Sequence, residues 1–186
     1  MATSGEKTPL PVEPRPSKPQ RPLWREVLQT VVLAFVLALL IRTFVLESFQ
    51  VKGHSMLPTL TTGDRVLVDK LLYRIEGPHT GEIVVFQSPV KKNQIWIKRV
   101  IGVPGDTVKI VAGQVYINGH RYAEPFVHLN YRYNYGPVTV TPGHLFVLGD
   151  NRTNSYDSRY FGLLAEWRVQ GDAFVVWWPP KAIGGI

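Results

Sequence analysis

The sequence predicts a mainly β, antiparallel domain preceded by one N-terminal transmembrane helix. Its single long apolar run, Val27 to Leu46, has about the length needed to cross the hydrocarbon core of a bilayer. Behind that run, glycine and proline recur every several residues and separate short segments rich in β-branched and aromatic side chains. No sustained helical period follows the run. At 186 residues the chain has room for one ordinary domain plus a tail and an anchor.

Residues 1–26 read as a disordered tail. Pro9, Pro11, Pro14, Pro16, Pro19 and Pro22 stand among Lys, Arg, Ser and Glu, a composition that buries too little apolar surface to order itself. Residues 27–46 read as the anchor helix. Val31 to Ile41 is free of polar side chains, whereas Gln29, Thr30, Arg42 and Thr43 lie toward the ends, where an arginine stem can snorkel to the headgroups. A cleavable signal peptide has the same outline, but no small-x-small site follows Ile41 and the polar leader is long. Arg15, Lys18, Arg21 and Arg25 precede the span, and only Lys52 and Arg65 follow closely, so the positive-inside rule puts the tail in the cytoplasm and residues 47–186 on the extracytoplasmic side.

Within 47–186, Val66 to Val68, Ile83 to Gln87, Ile95 to Ile101, Thr107 to Val111, Gln114 to Ile117, His144 to Leu148 and Asp172 to Trp178 are predicted strands. Asn118-Gly119 between two such runs is a two-residue hairpin signal. The aromatic stretch Phe126 to Tyr135 is read as a long connection. Phe174 to Pro180 suits either a lipid interface, where tryptophan is favoured, or a buried terminal strand.

Composition narrows the chemistry. The absence of cysteine removes disulfides, thiolate nucleophiles and cysteine-based zinc sites. A net charge of +7 is spread along the chain and not gathered in a stripe, which points to anionic lipid headgroups as the basic surface's partner, not nucleic acid. No ligand cluster or phosphate-cradling loop implies a metal or organic cofactor.

Ser55, in Gly-His-Ser-Met-Leu-Pro, and Lys98, in Ile-Trp-Ile-Lys-Arg-Val, are the candidate nucleophile and base. A serine hydroxyl needs an adjacent base to take its proton. Lysine can serve if burial lowers its ordinary pKa near 10.4 toward neutrality. On a strand, period-two alternation puts Trp96, Lys98 and Val100 on one face and Ile97, Arg99 and Ile101 on the other. Each residue alone is weak evidence, since most serines in glycine-rich turns only shape the backbone.

Four ordered blocks resemble the type I signal peptidases, the membrane-bound Ser/Lys proteases. They are Phe49-Gln50-Val51 with Ser55 to Leu60, Gly63 to Val68, Ile97 to Asp106, and Gly149 to Gly162. The resemblance implies a signal-peptidase-like catalytic domain that cleaves exported preproteins after small residues of the Ala-x-Ala type. It implies Ser55 as nucleophile, Lys98 as general base, Ser155 as a hydroxyl that orients the amine, and Asp157 as a carboxylate that holds the last loop through ion pairs. The second oxyanion donor stays open, because Gly53 stands where many members have serine. Phe49, Gln50, Val51, Met56, Leu60, Trp96 and Ile97 are the implied substrate walls. The implied setting is a monomeric catalytic unit near the export translocon, in a bacterial plasma or thylakoid-type membrane.

Two other enzymatic readings and one non-enzymatic reading compete. A histidine triad would draw on His54, His79, His120, His128 or His144, none of which sits in a recognisable block. A self-cleaving Ser/Lys repressor would carry a DNA-binding helical domain where this chain has its tail and apolar run. An anchored binding module would be indifferent to loss of the Ser55 hydroxyl.

Overall fold

The computed structural model describes residues 22–41, 45–127 and 131–186. Helix α1 (Leu23–Leu40) has no buried residue, and the chain divides into two units near the end of this helix, between Ala38 and Leu39. Among the described residues it is the helix long and apolar enough to cross a membrane. It begins before the predicted anchor, at Leu23, and Glu26 in the first turn complements the helix dipole. The far end differs too. Leu46 opens a strand instead of closing the helix, and Arg42 to Phe44 lie outside the described residues.

The domain contains two antiparallel sheets. The larger runs β1 (Leu46–Gln50), β2 (Arg65–Asp69), β11 (Val169–Trp178), β3 (Ile83–Gln87), β4 (Ile95–Gly102), β9 (His144–Leu148) and β10 (Leu164–Ala165), with β12 (Gly184–Gly185) added to β11. The smaller runs β7 (His120–Arg121), β6 (Gln114–Ile117), β5 (Thr107–Val111) and β8 (Tyr135–Thr139). Asn118 and Gly119 sit at φ 52° and 82°, the positive values that a tight hairpin turn demands, and they join β6 to β7.

All seven predicted strands are present, with β11 starting three residues before its predicted first residue at Asp172. The structure adds β1 and β8 and the two-residue strands β10 and β12, and Tyr135, placed in the predicted connection, opens β8. It also adds the short helices α2 (Leu71–Glu76) and α3 (Ser158–Phe161), too brief to leave a helical period in the sequence. Phe174 to Trp178 is the end of β11, with Val176 buried and Phe174, Trp177 and Trp178 exposed.

Alternation along the strands sorts the core. On one face of the large sheet Val66, Val68, Val85 and Val176 form a cluster with Val51, Met56 and Leu60 of the loop after β1, against which Phe49 and Ile97 pack. The other carries Val84, Phe86, Val100 and Leu145, against which Trp96 and Phe161 pack. A third cluster, with Ile101, Val108, Ile110 and Phe146, joins the two sheets. Full burial of Phe86 or Phe146 contributes on the order of 2 kcal/mol each from area alone.

Two unpaired stretches of strand edge bear on the site. β1 is the end strand and pairs only with β2. β9 pairs with β4 from Arg99 onward, so Ile95 to Lys98 keep a bare edge on that side.

Candidate active site

Ser55 sits in the loop between β1 and β2. That loop is closed at its base by Val51 N–H donating to Asp64 O at 2.8 Å and Gly63 N–H to Val51 O at 3.0 Å. Val51, Met56 and Leu60 fasten it into the core from inside. The loop after β9 grips it from outside. Asn151 donates its backbone N–H to Ser55 O and its side-chain amide to His54 O, both at 3.0 Å. Thr59 donates its hydroxyl to Asp150 Oδ2 at 2.6 Å. Asp150 is also held by the Nε and Nη2 of Arg99, at 3.0 and 2.8 Å, so one buried carboxylate ties the serine loop to the strand that carries Lys98.

Lys98 reaches Ser55 across 43 residues of sequence. Its Nζ lies 2.7 Å from Ser55 Oγ and donates to Ile97 O at 2.9 Å. The side chain is buried at 4% exposure. Removal from water lowers its pKa from 10.5 to about 8, against the opposing pull of the Asp157 and Asp150 carboxylates. That displacement corresponds to a penalty of about 3 kcal/mol on the ammonium relative to the free amine. A substantial neutral fraction therefore exists close to physiological pH. Among the described residues no imidazole touches the Ser55 hydroxyl; His54 is exposed and His79 pairs with Glu82.

Gly149 sets the approach of the third segment. A methyl group there would fall 2.5 Å from Ser55 O and onto Ser155 Oγ and Cβ, so only a bare backbone lets the serine loop and residue 155 meet. Ser155 Oγ is buried and has no hydrogen-bond partner among the described residues. The resemblance implies a bond from this hydroxyl to the lysine amine; the structure has the amine on Ser55 and Ile97 O instead. Asp157 accepts from Gly149 N–H at 3.0 Å and pairs with Arg159 through Nε at 2.7 Å and Nη2 at 2.8 Å. It also caps α3. Arg152, the other arginine of this block, pairs with Glu124, a residue that the motif reading did not single out.

A groove of about 880 Å³ opens beside the dyad, lined by Phe49, Gln50, Val51 and Gly53 on one side and Ile95, Trp96 and Ile97 on the other, with Val66 and Val85 as floor. Met56 and Leu60, predicted as walls, are instead fully buried in the core at 1% and 0% exposure, because the loop turns them inward as its anchors. Tyr156 and Asn154 complete the lining and were absent from the predicted set. The Ser55 amide makes no hydrogen bond among the described residues, which leaves it available to an oxyanion. Among the same residues no group of His, Asp or Glu is arranged to hold a metal ion.

Comparisons with known proteins agree on one family. The model of "Signal peptidase, peptidase S26" matches residues 24–178. A probable signal peptidase I-2 of Synechocystis sp. is 43% identical over 171 residues, covering 89% of this chain and 78% of the relative. The signal peptidase I of Leptolyngbya laminosa is 41% identical over 185 residues, covering 95% and 91%, and signal peptidase I T of Bacillus subtilis is 41% identical over 162 residues, covering 81% and 83%. The chain belongs to the signal peptidase family, peptidase S26.

Proposed function

We propose that this chain is a membrane-anchored endopeptidase that removes N-terminal signal peptides from exported preproteins, with Ser55 as nucleophile and Lys98 as general base. The observation that carries this reading is the 2.7 Å contact between Lys98 Nζ and Ser55 Oγ, made by an amine whose pKa burial lowers to about 8. Once the amine is neutral, the same contact runs in reverse, and the hydroxyl gives its proton to nitrogen as oxygen attacks the scissile carbonyl. The resulting oxyanion meets the Ser55 amide; one such donor is typically worth ~3 kcal/mol in the transition state. Lys98 then protonates the departing amine. A water molecule takes the place of that amine, gives a proton to Lys98 as its oxygen attacks the acyl carbon, and the Ser55–acyl bond breaks as Lys98 returns the proton to Ser55 Oγ.

The preprotein lies extended between Phe49 to Val51 and Ile95 to Ile97, pairing with the bare edges of β1 and β4. Phe49, Val51 and Ile97, with Val66 and Val85 beneath, are the bulky apolar walls that select small side chains in this reading. Ser155 stabilises the arrangement of the dyad through its packing against the Ser55 loop, and Asp157 fixes the segment that carries it. Helix α1 spans the membrane with the chain before it in the cytoplasm and residues 47–186 on the extracytoplasmic side, as the excess of Arg and Lys toward its N-terminal end directs. The catalytic unit acts as a monomer beside the export translocon.

The test uses detergent-solubilised full-length protein and a preprotein with an Ala-x-Ala site. Ser55→Ala and Lys98→Met should each lower cleavage by at least about a thousandfold while both keep the native circular dichroism spectrum. Cleavage by Lys98→Met at the native rate would remove the base and the mechanism together.

A further inference from the structure

β4 divides the groove by face. Ile97 packs with the cluster of Val51, Val66 and Val85, which forms the floor for small side chains, whereas Trp96 packs on the opposite face with Val84, Phe86 and Phe161. A peptide extended along this edge alternates in the same way: if the residue before the cleaved bond and the one two before it both face the Ile97 side, the residue between them faces the Trp96 side. On that side stands an exposed aromatic stack. The Trp96 ring meets Tyr156 edge-on at 6.1 Å, and Tyr156 stacks on Tyr160 at 5.2 Å with planes 15° apart. Tyr156 is 50% exposed although it lines the groove. Trp96 and Tyr156 both rest on Phe161, yet Tyr156 and Tyr160 keep half or more of their surface exposed.

We infer that Trp96 and Tyr156 form a shelf for the middle side chain of the small-x-small cleavage sequence, and that this enzyme favours an aromatic residue at that position. The inference rests on the peptidase reading above and adds a preference to it. A permanent positive charge already borders the stack, the Arg159 guanidinium at 5.7 Å from the Tyr160 ring, so a cationic side chain is disfavoured and a neutral ring is the better occupant.

Two peptides that differ only in Ala-Phe-Ala against Ala-Ser-Ala decide the matter, with full-length protein in detergent. Native enzyme should cleave the first with a kcat/KM about two- to tenfold higher, chiefly through KM, the range expected of one added aromatic pair. Tyr156→Ala should erase that preference while still cleaving Ala-Ser-Ala, and Tyr156→Phe should keep it. Equal rates for the two peptides with native enzyme, or a preference that survives in Tyr156→Ala, would overturn the shelf and leave the peptidase intact. Failure of native enzyme on both peptides would instead overturn the peptidase reading, and the shelf with it.

Discussion

Gly149 is the point where the serine loop and the loop after β9 meet, and it makes the site sensitive to one methyl group. Its added Cβ would strike backbone at Ser55 O, which cannot swing away as a flexible side chain can. Gly149→Ala should therefore displace Ser55 from Lys98 Nζ and lower kcat by about a hundredfold or more, with a smaller change in KM, measured on a soluble Ala-x-Ala peptide. Sequence reasoning could offer Ser55 and Lys98 as candidates through the four ordered blocks, each residue alone being weak evidence. It could not sort wall from core: Met56 and Leu60 stand one and five residues after Ser55, and only the folded loop reveals that both point inward. The pairing of Arg152 with Glu124 was equally hidden, since those residues lie 28 positions apart and nothing local marks them as partners.

At the scale of elements, legibility follows the burial pattern. β3 is buried at four of its five positions and β9 likewise, so each appears in the sequence as an apolar run between turn signals. β1 and β8 are mostly exposed, and they hold Glu47 and Ser48 in one and Gly136-Pro137 in the other, residues that speak against a strand. Their pairing is decided by distant partners, Leu46 to Gln50 against β2 and Tyr135 to Thr139 against β5. The bare edge of β4 was also invisible in sequence. It depends on where β9 stops, at a pairing of Arg99 with Leu148, and that edge is what the proposed mode of substrate binding uses.

For the whole molecule, one apolar helix and one β domain divide the work of location and chemistry. Holding enzyme and substrate in one bilayer raises their effective concentration, so the anchor aids catalysis without touching the reacting atoms. In sealed inverted vesicles of bacterial plasma membrane, added protease should trim the N-terminal tail and leave residues 47–186 intact until detergent is added. Digestion of the β domain in intact inverted vesicles would reverse the proposed orientation. The legible part at this scale was one apolar helix followed by a β domain; the predicted tail falls mostly on residues 1–21, outside the described residues. The boundary was not legible, because Leu46 has the apolarity of a membrane residue and the pairing of a strand residue, opposite Asp69 of β2.

The claim beneath all of this is that Lys98 works as a neutral amine. A lowered lysine pKa places the active, unprotonated form above it: the ammonium dominates below about pH 8, and the free amine becomes available as pH rises through that value. The kcat/KM of the full-length enzyme on a peptide without titratable side chains should accordingly climb tenfold per pH unit at the acid end and level off with a midpoint near 8. A rising limb centred near 10.5, or a rate that does not change between pH 6 and 9, would contradict it.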